Sequence, residues 1–272
     1  MLDVVESFVL GKQGVEARCE DAVVETPVHV AVIDGATTEP GHEIDGRSPG
    51  RFAMETVAAA IRGLDPDADA EQAIGELSTA LAEGLTTHGV EPGMLASACV
   101  LIASVRRHEV WRVGNSTFAL DGKAYPQPWS LVEIPARMRS AYLKALLRAG
   151  ETTIEEIAKS DPGEKLIAPL LRIEHVFRNA LDSGELAYAA IDGLDIPAAL
   201  IERVSIPPGL SEVVFVSDGY PLTAPTLAEA EAYLERSLAE DPLRIEQHAE
   251  VRGVREGYLS YDDRAYVRFR LG

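Results

Sequence analysis

Positive charge is scarce in this chain. Lys and Arg number 25 against 44 Asp and Glu, a formal net charge of -19. A surface that acidic repels nucleic-acid phosphates and anionic lipid headgroups alike, so neither nucleic acid nor membrane is an expected partner. A phosphorylated substrate must then be drawn in by a local positive element, a metal ion or an arginine. Cysteine is nearly absent: Cys19 and Cys99 are the only two, without C-x-x-C spacing, which excludes a disulfide framework and a zinc knuckle. Long apolar runs are missing too. No stretch approaches the ~18 residues that a spanning helix needs, and the first residues, Met1-Leu2-Asp3, lack the basic start of a signal peptide. The expectation is a soluble, cytoplasmic protein.

What is present is ordinary for a folded domain: 272 residues, 46% of them hydrophobic and 25% charged. Strand-type runs occur at Val4–Leu10, Val28–Ile33, Ser97–Val105, Glu109–Val113, Leu186–Ile191, Ile201–Ile206, Val213–Val216 and Ala265–Phe269. Several are continuously apolar, as strands covered by other layers should be. Helical periodicity occurs at Arg51–Gly63, Glu71–Leu85, Ala136–Ala149, Ile154–Lys159, Glu164–Leu181 and Leu227–Leu238. Thr226 and Glu229 have capping-box spacing, and Gly63 and Gly150 stand where helices should close. The order predicts an α+β fold with largely antiparallel sheets and outer helices, in one domain over 1–272. A helical insertion or flap is expected at about 126–182. Trp111 and Trp129 read as packing residues, with a groove-lining role for Trp129 as the alternative.

Four acidic elements adjoin strand ends: Glu20-Asp21, Asp34-Gly35, Asp218-Gly219 and Asp262-Asp263. One Asp-Gly alone is a common turn. As a set, carboxylates gathered together repel one another and raise each other's pKa values. A hard divalent cation removes that penalty, and an all-oxygen donor set selects Mg²⁺ or Mn²⁺ over zinc. Two such ions would clamp a phosphoryl group and generate hydroxide from a bridging water at neutral pH. Other motifs carry less: Gly11-Lys12-Gln13-Gly14 and Gly122-Lys123 lack the rest of a phosphate loop and read as turns, and no G-x-S-x-G elbow exists.

In sequence order the chain has E-D, an apolar strand with D-G, a hairpin ending Gly114-Asn115-Ser116, then V-F-V-S-D-G and Y-D-D-R-A-Y-V. This succession, from about Arg18 to Phe269, resembles the metal-dependent serine/threonine phosphatases of type 2C. The resemblance implies a four-layer α-β-β-α sandwich of two antiparallel sheets flanked by helices, with a centre of two Mn²⁺ or Mg²⁺ ions. It implies a phosphatase acting through a metal-bridging hydroxide on phosphoserine or phosphothreonine in proteins. By position, Asp34 bridges the ions and Gly35 offers its carbonyl. Asp218 and Asp262 bind the second ion, so Asp34, Asp218 and Asp262 carry the chemistry, while Glu20 and Asp21 act through bound water. Three positions depart from the pattern. Glu16 stands where family members place a phosphate-gripping arginine, leaving Arg18, Arg47 and Arg51 as candidates; Arg18 would lie ~7 Å along the same strand face. Asn115 replaces an aspartate that helps bind a third ion, which argues against a third metal. Ala36 occupies the place of a proton-donating histidine. Two alternatives keep the same fold: an inactive pseudophosphatase serving as a regulatory module, and a phosphatase of a small phosphorylated metabolite.

Overall fold

The computed structural model describes residues 2–271 apart from 39–40, 127–130, 132 and 210–211; the expectation for Trp129 lies outside the described residues. Ten strands and six α-helices follow in the order β1 (Leu2–Leu10), β2 (Asp21–Glu25), β3 (His29–Thr37), α1 (Pro49–Gly63), α2 (Ala70–Thr87), β4 (Ala96–Ser104), β5 (Glu109–Val113), β6 (Thr117–Leu120), β7 (Lys123–Tyr125), α3 (Glu133–Ala149), α4 (Ile154–Lys159), α5 (Pro162–Ile173), β8 (Glu202–Ser205), β9 (Glu212–Val216), α6 (Leu227–Glu240) and β10 (Arg264–Leu271). They form two five-stranded sheets, β1-β10-β9-β6-β7 and β2-β3-β4-β5-β8. Every strand pairing within them is antiparallel.

The period-2 alternation of side chains explains the layers. On β3, Ala31 and Ile33 face α1 and α2, where Phe52, Val57, Leu77 and Leu81 meet them. Val30 and Val32 face the other way and join Phe215, Val267 and Phe269 between the sheets. On β9 the same split sends Val214 and Val216 outward to Ala230 and Leu234 of α6. Both faces of these strands are therefore buried, which is why their sequences run continuously apolar. The result is the expected α+β four-layer sandwich.

Caps set several helix ends. Ser48 accepts from the Arg51 N–H at the start of α1, with Pro49 at the first helical position. Reciprocal capping boxes form at Asp69/Gln72 and Thr153/Glu156. Thr226 accepts from the Glu229 N–H. Gly150 adopts the left-handed conformation of a true C-terminal cap, φ 71°. Gly63 stays helical and α1 closes on Leu64 instead.

The expected strand at Leu186–Ile191 does not form. Residues 181–186 make 3-10 turns, Tyr188 forms an isolated bridge with Arg178, and Ile191 forms one with Ala98 of β4. The helix expected over Glu164–Leu181 stops at Ile173 and continues as a 3-10 turn through Phe177. Helices α3 and α4 share a small core of their own, Leu143 and Ile157 with Leu243 and Ile245 from the segment after α6. Among the described residues no helix is long and apolar enough to cross a membrane.

Candidate metal centre

Strand register begins the assembly of the site. Asp21 on β2 lies directly opposite Asp34 on β3, and Asp34 lies opposite Cys99 on β4. The other sheet supplies its carboxylates from the end of β9 and the approach to β10. Those two segments run so close that a Cβ on Gly219 would sit 1.9 Å from the Asp263 carbonyl oxygen. Glycine is needed again at 35, where a Cβ would lie 2.2 Å from the Gly50 oxygen and 2.9 Å from that of Glu20. Each Asp-Gly pair thus sits where another backbone crosses at contact distance.

One hydroxyl ties the two sheets together. Ser217 donates to Asp21 Oδ2 at 2.6 Å and accepts from the Ala265 N–H at 2.8 Å. Asp21 and Asp263 are buried, whereas Asp34, Asp218 and Asp262 are only half-buried and line an approachable surface. The buried pair has structural partners. Asp263 accepts from the backbone N–H groups of Lys12 (2.8 Å) and Glu20 (3.2 Å). Glu20 accepts from the hydroxyls of Thr37 and Ser48 through one carboxylate oxygen.

The half-buried aspartates are electrostatically unequal. Desolvation, then the charges of Asp218 and Asp21, pushes Asp34 well above the usual carboxylate range. Desolvation and the charge of Asp262 push Asp218 up to about 6, against hydrogen bonds from Asp34 and Asn115. Desolvation pushes Asp262 the same way, but Arg252 and then Lys12 outweigh it and hold it low. Lys12 Nζ lies 2.9 Å from Asp262 Oδ1 and 3.2 Å from Asp263 Oδ2. Arg252 Nη1 lies 3.8 Å from Asp262 Oδ2.

These groups suit a hard divalent cation chemically: the donors are all oxygen, and burial with mutual repulsion raises the Asp34 and Asp218 carboxyls, a penalty an ion would offset. Asn115 adds a second sign. Its Nδ2 donates to Asp218 Oδ2 at 2.8 Å, while its Oδ1 is buried with no hydrogen-bond partner. Among the described residues, however, no group of three or more His, Cys, Asp or Glu stands ready to hold a metal ion.

Solved structures match nearly the whole chain. The Mycobacterium tuberculosis serine/threonine phosphatase PstP/Ppp is 20% identical, with 99% of this chain and 98% of that chain covered and a TM-score of 0.50. The catalytic domain of PstP in complex with two manganese ions is 17% identical over 100% of both chains, TM-score 0.50. Stp1 from Staphylococcus aureus is 11% identical over 100% of this chain and 96% of that one, TM-score 0.52. The fold is that of the type 2C phosphatases. No protein-family model matches the sequence, and no curated protein does.

Within this type 2C fold, the three arginines singled out from sequence are engaged away from the aspartates. Arg18 is not on a strand: Glu16–Arg18 form a 3-10 turn, and its guanidinium donates to Gln13. Arg47 pairs with Asp45 and Glu55 and covers the Phe52 ring. Arg51 pairs with Glu55 at 2.8 Å and donates to the carbonyls of Glu16 and Cys19. Lys12 and Arg252 are the site residues that sequence reading passed over. A signal existed for Lys12. Leu10 pairs with Arg264, so the Gly11–Gly14 turn that follows β1 must fall beside Asp262 and Asp263. Nothing in the sequence signals Arg252.

Proposed function

We propose that the chain is a metal-dependent phosphomonoester hydrolase acting on phosphoserine or phosphothreonine in proteins. One observation carries this reading: Asp34, within β3 of one sheet, and Asp218, just past the end of β9 in the other, are half-buried and close enough that the charge of Asp218 raises the Asp34 carboxyl. Two like-charged groups held this close are a standing cost to the fold, and a divalent cation offsets it. Asp34 with the Gly35 carbonyl, and Asp218 with Asp262, would hold two Mn²⁺ or Mg²⁺ ions; Glu20 and Asp21, each gripped by hydroxyls, would orient water around them. Such ions neutralise the developing charge of a phosphoryl group and acidify water.

The chain's own residues prepare this surface. Asn115 fixes the Asp218 carboxylate, and the Tyr261 hydroxyl donates to the Asp218 carbonyl at 2.8 Å. Ser217 holds Asp21 in register with β10, and Lys12 holds Asp262 against Asp263. Ala36, next on β3, is exposed and carries no proton, so protonation of the leaving group falls to water. A protein substrate is favoured by a cleft of about 280 Å³ lined by Thr38, Gly89, Val90, Glu91, Met94, Leu95, Arg172 and His175. It begins one residue past β3, whose Thr37 holds Glu20, and offers apolar side chains with Glu91 and Arg172 among them to residues flanking a phosphoserine.

Hydrolysis of p-nitrophenyl phosphate in Mn²⁺ tests the reading. Asp34→Asn and Asp218→Asn should each lose at least 100-fold in kcat/KM while keeping the far-UV circular dichroism of the parent. Equal turnover by parent and variants would sink it.

A further inference from the structure

Resting on that function, we infer that Arg252 is the residue that grips the phosphate, replacing from the far end of the chain the arginine that Glu16 displaces. The first ground is availability. Each other arginine near the site has partners: Arg18 with Gln13, Arg47 with Asp45 and Glu55, Arg51 with Glu55 and two carbonyls. Arg255 pairs with Glu164, and Arg244 lies against the Tyr261 ring at 4.5 Å. Lys12 is fully spent on Asp262 and Asp263. Arg252 has one loose ion pair, 3.8 Å to Asp262, no hydrogen bond to another described residue, and a side chain 41% exposed.

Position is the second ground. Arg252 Nη1 lies 3.8 Å from Asp262 Oδ2, and the charges of Asp262, Asp218, Glu164 and Glu20 all act on the guanidinium. The segment that carries it is fixed. Arg139, fully buried, donates to the Glu250 carbonyl at 3.0 Å, and the Val254 N–H donates to the Pro242 carbonyl at 2.9 Å. A Cβ on Gly253 would lie 2.9 Å from the Leu243 oxygen, so the backbone beside Arg252 is held against that neighbour.

Chemistry is the third. A guanidinium presents planar paired donors that fit two oxygens of a phosphate, a geometry an ammonium lacks. A divalent ion drawn to Asp218 and Asp262 would repel Arg252 from its single partner and leave those donors to the anion. Arg252 is thereby a binding residue for the phosphoryl group, acting beside the carboxylates and not through them.

The test titrates inorganic phosphate into the full chain in Mn²⁺ by calorimetry, with p-nitrophenyl phosphate kinetics alongside. Arg252→Ala should weaken phosphate at least 10-fold and raise KM by a similar factor, and Arg252→Lys should recover only part of the loss. Mn²⁺ titrated without phosphate should bind Arg252→Ala as tightly as the parent, or more so. Unchanged phosphate affinity in Arg252→Ala overturns the inference, as does a parent that binds no phosphate, or a loss found in Arg18→Ala instead. A parent that binds phosphate through Arg252 yet hydrolyses nothing leaves the inference standing and removes the catalytic reading.

Discussion

Lys12 and Asp262 are separated by 250 positions in sequence and by 2.9 Å in space. The ammonium reaches the carboxylate because β1 and β10 pair from Leu2↔Leu271 to Leu10↔Arg264, which brings the turn after β1 against the approach to β10. A resident cation thus occupies one face of the carboxylate that the second metal ion would use. It stabilises the fold and competes with the ion at once.

Replacing Lys12 separates those two roles. Lys12→Met should lower stability in EDTA by about 1–2 kcal/mol, since it leaves two partly buried carboxylates short of a partner. The same change should tighten Mn²⁺ binding several-fold by removing the competitor. Calorimetric titration and urea denaturation measure the two effects. Weaker Mn²⁺ binding would instead make Lys12 a residue that positions Asp262.

The pH dependence of the metal-free protein has a definite sign. Asp218 titrates at about 6 in the folded chain, above its unfolded value of roughly 3.9. Its contribution to stability is complete below about pH 4 and is lost as pH rises through 6. Glu250, pushed up to about 8 by burial and then by the charge of Asp218, extends the decline. In EDTA, Tm should therefore fall between about pH 4 and 8 more steeply in the parent than in Asp218→Asn or Glu250→Gln. Saturating Mn²⁺ should flatten or reverse that slope, because the ion binds the deprotonated form. Identical slopes in parent and variants would contradict the assignment.

Two glycines beside the aspartates should tolerate no side chain. Gly35→Ala and Gly219→Ala each drive a methyl into a backbone carbonyl, at 2.2 and 1.9 Å. Each should cost on the order of 3 kcal/mol or more in denaturant titrations. Gly63→Ala meets nothing within 4 Å in the last turn of α1 and should stabilise by about 0.5–1 kcal/mol.

Both thiols should be inert in the folded protein. Burial pushes Cys19 and Cys99 up to about 12, with the charges of Asp21 and Asp218 adding to it. A disulfide-exchange reagent at pH 8 should label neither until denaturant is added. Fast labelling of one thiol would show that its side of the sheet opens.

The strands that build the sandwich were legible because burial on two faces leaves a continuous apolar signature, as in Val30–Ile33 and Val213–Val216. Strands of mixed character were harder. Asp21–Glu25 is five residues long with an acid at each end, and it becomes a strand only by pairing with β3. The β6–β7 hairpin did carry a signal, Asp121-Gly122 with φ 44° and 79°, in a left-handed tight turn. Leu186–Ile191 looked like a strand on apolar content alone, but no neighbouring edge accepts more than one of its residues. At the site, the aspartates could be found because apolar strand runs and glycines mark them, although β3 continues past Asp34 to Thr37 where the apolar run suggests a strand end at Ile33. The cations could not. Lys12 and Arg252 face the aspartates through pairings and packing that span most of the chain, and local pattern holds no trace of such distances.

The partnership of β1 with β10 has a further consequence during synthesis. β10 lies between β1 and β9 in its sheet, so until Arg264–Leu271 has left the ribosome the first strand has no neighbour and Asp262 has no Lys12. A growing chain can assemble the helix-covered sheet early, yet it cannot display the complete charge constellation. Whatever chemistry the site performs is therefore withheld until Arg264–Leu271 has emerged and paired. Folding should wait on that closure, as expected where the decisive contacts join strands so far apart in sequence.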